Sequence, residues 1–187
     1  MPISALDPNT ALVVIDLQQG TTAYPSAHPI TNVITNAVAL AAAFRGNGLP
    51  VVLVRFDPSQ TPAGRTELGG PRGPVPPEFM EFVPELAPQT GDIVVTKGAW
   101  SALAGTDLAD TLARRGVTQL VLAGVATSFG VESTARQAYD AGFNVTIAVD
   151  AITDPRAESH EHSVNGVFRV LGEAATTDEI LALLTGP

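Results

Sequence analysis

The 187-residue chain contains no cysteine. That absence alone excludes disulfides, thiolate nucleophiles and cysteine-based zinc sites. Histidine is scarce as well, occurring only as His28, His160 and His162. Basic residues are few: ten Lys and Arg stand against nineteen Asp and Glu, for a net charge of −9. A broad nucleic-acid footprint needs clustered Lys and Arg, and an acidic surface is repelled by anionic lipid, so neither nucleic acid nor a membrane is expected as a partner. An anionic small molecule is not excluded, because a single Lys or Arg inside a cleft can dominate locally. No apolar run approaches twenty residues, and the start MPISALDPNT has neither a basic nor an apolar leader region, which points to a cytoplasmic protein.

Several motifs are missing too. There is no early GxGxxG and no GxxxxGK[ST], so a dinucleotide fold or a P-loop fails at its first check. The GxSxG elbow is absent, and Thr127 and Ser128 have no histidine beside them in sequence, which disfavours a hydroxyl nucleophile. His160 and His162 lie two apart in a segment that reads as helix, so they do not share a face as a metal pair would. Asp57 ends a strand without a following D-x-H-x-H set. No metal and no cofactor are expected.

What is present reads as one domain over residues 1–187. Hydrophobic residues make up 45% of the chain, enough for a sizeable core. The runs ALVVID (Ala11 to Asp16), VVLVRF (within Pro50 to Phe56), Ile93 to Thr96, Leu120 to Ala123 and Val145 to Val149 are short and continuously apolar, as buried parallel strands are. Helical spacing covers Ile30 to Phe44, stopping at Gly46-Asn47-Gly48, and Thr106 to Arg115, with Thr106 as cap and Gly116 as stop. It recurs through Val131, Thr134, Ala135 and Ala138, over Glu158 to Leu171, and for a turn or two at Glu179 to Leu184. A Gly- and Pro-rich connection fills 57–92, with a short helix expected near Pro77 to Leu86; loops this long often bind ligands or partners. Strands alternating with long crossovers predict an α/β fold, three-layered α/β/α around a mostly parallel sheet.

In such folds ligands bind at the carboxyl edge of the sheet. Three strand ends meet this description: Asp16, Lys97 and the turn Gly124 to Gly130. A lysine beside Asp16 would hold it ionised, while an apolar surround would oppose that by desolvation, so the pair would donate or accept a proton according to that balance. Alternatively Asp16 is a helix cap and Lys97 a strand-end lysine reaching solvent. Backbone N–H groups of the turn, with the helix that follows, would receive an anionic oxygen. Tyr24, Trp100 and Phe129 are either apolar walls of a pocket or ordinary core filling. A histidine on the 158–171 helix either lines the pocket or is solvated at the surface.

These residues carry a resemblance to a known family. VVIDLQQG around Asp16, VVTKGAWSALAGTDL around Lys97 and GVATSFGVESTARQAYDAGFNVTIAVDA from Gly124 resemble, in that order, the isochorismatase-like hydrolase superfamily over nearly the whole chain. In relatives the last motif reads G-x-x-T-x-x-C-V-x-x-T-A. Matched residue by residue, Asp16 is the family's aspartate, Lys97 its lysine, and Gly130 stands where the catalytic cysteine would be. The resemblance also implies a cis peptide between Val125 and Ala126. Without the thiol, amide hydrolysis through a thioester is not expected. Isochorismatases that resemble this chain in having glycine there imply another chemistry, in which the carboxyl group protonates the methylene carbon of an enol ether and water captures the cation. Transferred here, Asp16 is the general acid, Lys97 its electrostatic partner and Gly130 the space that admits a small carboxylated substrate, with Arg65 and Arg72 of the long loop as carboxylate binders. The rival expectation is a catalytically inactive member that binds small molecules or acts as a scaffold, which a pocket sealed by Phe129 or Trp100 would favour. The resemblance implies a homodimer or homotetramer, and the alanines of the helix after Gly130 fit either subunit contact or core packing.

Overall fold

The computed structural model describes residues 3–61, 64–67 and 75–185. Six parallel strands form one sheet in the order β3-β2-β1-β4-β5-β6. They are β1 (Thr10–Ile15), β2 (Val51–Phe56), β3 (Ile93–Lys97), β4 (Gln119–Val125), β5 (Asn144–Thr153) and β6 (Glu173–Ala175). The helices are α1 (Gln19–Thr22), α2 (Ile30–Gly46), α3 (Leu108–Arg114), α4 (Glu132–Asp140), α5 (Ala157–His162), α6 (Phe168–Leu171) and α7 (Thr177–Thr185). Strand order reverses direction between β1 and β4, which opens a crevice at their carboxyl ends.

Alternation along the strands divides the core into two layers. Ala11, Val13 and Ile15 of β1, with Leu120 and Leu122 of β4, pack under α3, α4 and α6 through Leu108, Leu112, Val131, Ala135, Ala138 and Phe168. Leu12 and Val14, with Val121 and Ala123, pack under α2 and α7 through Val33, Ala37, Leu40, Phe44 and Ile180. All six residues of β1 are buried, and each large aliphatic side chain so placed is worth about 1.5–3 kcal/mol. Ala135 and Ala138 are wholly buried in the chain's own core, so core packing accounts for the alanine-rich face of α4.

Several boundaries differ from the sequence expectation. The strand expected to end at Val149 runs on to Thr153, past a register shift between Leu122 and Gly124 of its neighbour, so Asp150 lies inside it and Asp154 follows its end. The strand β6 was not expected; its sequence EAA has no β-branched residue to mark it. The helix over 158–171 is α5 and α6 joined by a π-helical turn, Ser163–Val167. The last helix is longer than a turn or two, and the helix after β4 begins with a π-helical turn, Thr127–Val131. The helix near 77–86 resolves into two 3-10 turns, Pro77–Met80 and Pro84–Leu86. Asp107 occupies the N-cap position of α3 without a side-chain cap bond, and the expected cap Thr106, one residue earlier, accepts from Leu108 N–H at 3.4 Å while its hydroxyl donates to the Ala102 carbonyl at 2.7 Å.

The long connection is tied to the sheet edge by one buried side chain. Gln18 Nε2 donates to the carbonyls of Phe56 and Phe79 at 3.0 and 2.9 Å, and Gln18 Oε1 accepts from Phe56 N–H at 2.6 Å. Backbone bonds from Gln19 N–H to Glu81 and from Val83 N–H to Leu17 extend this docking. At the other side of the switch point, Gly124 has φ +115°, and a Cβ there would meet the Ile15 carbonyl oxygen at 2.0 Å. Gly48 also has positive φ, but a Cβ there would meet nothing within 4 Å. Gly124→Ala therefore carries both backbone strain and a clash, Gly48→Ala the strain alone, about 1–2 kcal/mol. Urea unfolding is expected to show a loss of more than about 3 kcal/mol for Gly124→Ala against that smaller loss for Gly48→Ala.

Candidate active site

The residue that leaves β1 does so in an unusual conformation. Asp16 has φ +53°, a left-handed value uncommon for a residue with a side chain. The surroundings hold it there: Asp16 N–H donates to the Val54 carbonyl at 2.9 Å, and the Thr21 hydroxyl donates to the Asp16 carbonyl. The carboxylate is thereby brought to Lys97, the last residue of β3, with Oδ2 2.7 Å from Nζ and both side chains buried. Lys97 also donates to the carbonyls of Ala99 and Trp100 at 3.2 and 2.9 Å, and Nζ lies 5.4 Å from the Phe56 ring centroid. The three N–H bonds of the ammonium are thus all engaged within the protein. Asp16 Oδ1, by contrast, is buried without a hydrogen-bond partner.

Burial pushes the Asp16 carboxyl up to about 6, with the attraction and hydrogen bond of Lys97 opposing but not cancelling it. Both residues line a cavity of about 250 Å³ at the carboxyl edge of the sheet. Tyr24, Trp100, Val125, Ala126, Phe129 and Gly130 line the same cavity. The three aromatics are not core filling: Tyr24 is 65%, Trp100 60% and Phe129 39% exposed. Trp100 and Phe129 meet edge to face with centroids 5.1 Å apart, a favourable arrangement for the ring quadrupoles, and the cavity is not sealed by them. A Cβ on Gly130 would lie 3.2 Å from Asp16 Oδ2 and 3.1 Å from Ile15 Cγ2, so even a methyl group would crowd the carboxylate. The Val125–Ala126 peptide is cis.

Other expectations need correcting. The turn is not an open anion receptor along its length, because Ser128 N–H and Oγ donate to Asp154 Oδ2 at 2.8 and 2.7 Å, and the N–H groups of Phe129 and Val131 donate to the Ala126 carbonyl. Arg65 is exposed and does not line the cavity; Arg72 lies outside the described residues. Asp57 accepts from Ser59 N–H, Ser59 Oγ and Gln60 Nε2, bonds that hold its carboxyl below the usual range and close a local turn. His160 is buried rather than solvated. Among the described residues, no three His, Asp or Glu side chains are grouped to share a metal ion.

Asp154 was missed altogether. It is buried, lines the cavity and caps the turn, yet the continuous apolar run of the strand stops four residues earlier, at Asp150. The one signal available was the apolar pair Ala151-Ile152 beyond Asp150, continuing the strand.

The raised Asp16 carboxyl gives a direct test. Replacing Lys97 with methionine removes the influence that lowers it, so the titration of Asp16, followed by carboxyl-carbon NMR, is expected to move above 6. Because the folded value exceeds the unfolded one, the protonated carboxyl stabilises the fold below about 3.8, and that contribution is lost as pH rises through about 6.

Comparison with known proteins agrees with this architecture. A model of the isochorismatase domain matches residues 10–179. The isochorismatase family protein YwoC of Bacillus subtilis, itself uncharacterised, is 40% identical over 178 residues, covering 92% of each chain. The isochorismatase of the same organism is 29% identical over 181 residues, covering 94% of this chain and 58% of that one. The structure of an isochorismatase family protein from Burkholderia thailandensis superposes with a TM-score of 0.93 at 37% identity, covering 97% of this chain and 98% of that one. With a cysteine-free site on this fold, the chain belongs to the isochorismatase family.

Proposed function

We propose that the protein hydrolyses an enol ether in a small carboxylated molecule without forming a covalent intermediate. One observation carries this reading: a buried carboxyl raised to about 6, paired on one oxygen with Lys97 and unpartnered on the other, faces a cavity where Gly130 leaves room beside it. Such a group keeps its proton up to about pH 6, well above the ordinary carboxyl range, and has an oxygen to offer it from.

The steps then balance. Asp16 gives its proton to the terminal methylene carbon, the C=C π pair forms the new C–H bond, and the cation left on the adjacent carbon is stabilised by the ether oxygen. Water adds to that carbon and returns a proton to the Asp16 carboxylate. The hemiketal so formed collapses to a ketone and an alcohol; an enolpyruvyl ether would release pyruvate. Lys97 remains an ammonium throughout and stabilises the carboxylate once its proton has left. The chain has no thiol to intervene, and the absence of any side chain at position 130 lets the methylene carbon approach Asp16.

Tyr24, Trp100 and Phe129 would flank a ring at the mouth of the cavity, with Val125 and Ala126 as its apolar wall. The open cavity counts against a scaffold with a sealed pocket; an inactive binder would share the cavity, and the Asp16→Asn assay separates the two. A homodimer or homotetramer fits the family, and sedimentation measures it. No helix among the described residues is long and apolar enough to cross a membrane.

Enolpyruvyl ethers assayed by coupled pyruvate detection test the proposal. Asp16→Asn is expected to lower kcat by about 10²–10⁴ fold, the range that one proton-transfer group supplies. In the wild type kcat/KM should be highest below about pH 6 and fall above it, as the acid loses its proton. Gly130→Ala should raise KM, since its methyl group would sit against Oδ2. Turnover unaffected by Asp16→Asn, or rising with pH through 6, would overturn the mechanism.

A further inference from the structure

Two walls of the cavity come from separate parts of the chain. The rim between α1 and α2 supplies Tyr24, Pro25 and Ser26, and the turn after β4 supplies Ala126, Phe129 and Gly130. They are joined through two histidines. His28 closes the rim: its N–H donates to Thr153 Oγ1 at 3.1 Å, and its Nδ1 lies 3.1 Å from the same hydroxyl. Its ring packs on that of His160, with centroids 4.5 Å apart and planes tilted by 59°. His160 in turn places Nδ1 2.9 Å from the hydroxyl of Thr127, the buried first residue of the turn. Beyond this pair, the rim backbone is held to β5's end by Ala27 N–H donating to the Asp154 carbonyl at 2.8 Å.

From this geometry we infer that the His28–His160 stack is a pH-sensitive joint between the cavity rim and the Gly130 turn, closed when both imidazoles are neutral and released when both are charged. Two neutral rings at this separation attract, whereas two imidazolium ions repel across the same gap. His28 is exposed and His160 buried, so the pair spans the boundary between solvent and core. The groups facing His160 are His28 from the rim, Asp154 from the end of β5, Glu161 from its own helix and the uncharged Thr127. Burial, and then His28, hold the imidazolium of His160 below the ordinary histidine range, while the two acids offset part of this. Glu132, on the neighbouring α4, is already engaged by Ser163 and Arg136. The folded value is depressed, so the joint's stabilisation is present above the ordinary histidine range and lost as pH falls through the lowered one. Charging both rings sets their repulsion against the two bonds that anchor the rim, from Ala27 N–H to the Asp154 carbonyl and from His28 N–H to Thr153 Oγ1, and so loosens the segment carrying Tyr24, Pro25 and Ser26.

The joint does not depend on which reaction the cavity runs, and its test uses no substrate. Hydrogen exchange of the peptide spanning 23–30 is measured at about pH 7.5 and about pH 5 and corrected for intrinsic rates, with β1 and β4 as internal controls. The wild type is expected to lose protection in this peptide at least about tenfold at the lower pH, while the control strands hold theirs. In His28→Gln and His160→Gln, which cannot take up the charge, that pH dependence should disappear. Protection unchanged with pH in the wild type, or an undiminished loss in both variants, would overturn the inference. Should a variant fold poorly, the wild-type imidazole resonances decide: rim opening whose midpoint matches neither ring would overturn it equally. A flat result would leave the Asp16 chemistry standing, and failure of enol-ether turnover would leave the joint standing.

Discussion

A buried carboxylate cannot be held in an apolar crevice for nothing, and the Asp16–Lys97 pair shows what is needed to keep one there. Moving each ion out of water costs several kcal/mol even after relaxation, and a contact of 2.7 Å returns roughly 6 kcal/mol at an effective dielectric near 20. The terms are comparable, and desolvation prevails enough to leave the carboxyl near 6. Most of the local architecture follows from keeping that balance. β3 has to run two residues past the level of Ile15 to present Lys97, Asp16 has to turn through a left-handed conformation to face across, and Lys97 needs two backbone carbonyls as well as the acid to satisfy its protons. The sheet order supplies the remainder, because β2 stands between the two strands and both Phe56 and Lys97 reach the same edge.

The parts of this arrangement that sequence makes visible are those written as apolar runs. Five strands are marked by short apolar runs: ALVVID, VVLVRF and the run before Gly124 are continuous because the central strands are buried on both faces, while β3 at the sheet edge is only half-buried and β5 outlasts its run. The two strand-end charges were legible for the same reason, since a charge stands out at the end of an apolar run. What escaped was held by other forces. The strand β6 is three residues of edge pairing, and β5's last residues contain Asp150, which solvent and Thr177 accommodate on the outer side of the chain. Asp154 and His160 are polar groups buried by long-range hydrogen bonds, and spacing along the chain carries no trace of a partner twenty-six or thirty-three residues away.

The aromatics illustrate a different limit. Composition places Tyr24, Trp100 and Phe129 equally well inside a core or around a pocket, since each ring is apolar enough for either. Here they are exposed, and two of them lean on each other rather than on the core. The cores manage without them, filled by aliphatic residues with Phe44 and Phe168 as the largest members. A chain with only 5% aromatic residues that spends three of them at one cavity mouth concentrates its most ligand-adaptable surface there.

Gly130 turns these features toward one kind of chemistry. A Cβ at this position would stand 3.2 Å from Asp16 Oδ2 and occupy the space a reacting carbon needs. In the proposed reaction Asp16 is the group that acts on the bound molecule, since the three protons of Lys97 are already committed to Asp16, Ala99 and Trp100. A lone acid of this strength is poorly suited to breaking an amide, whose carbon requires a nucleophile, and well suited to an electron-rich double bond, whose carbon requires a proton. Under the reaction proposed above, the missing side chain and the raised carboxyl act from opposite directions, one by removing the nucleophile and the other by supplying the proton.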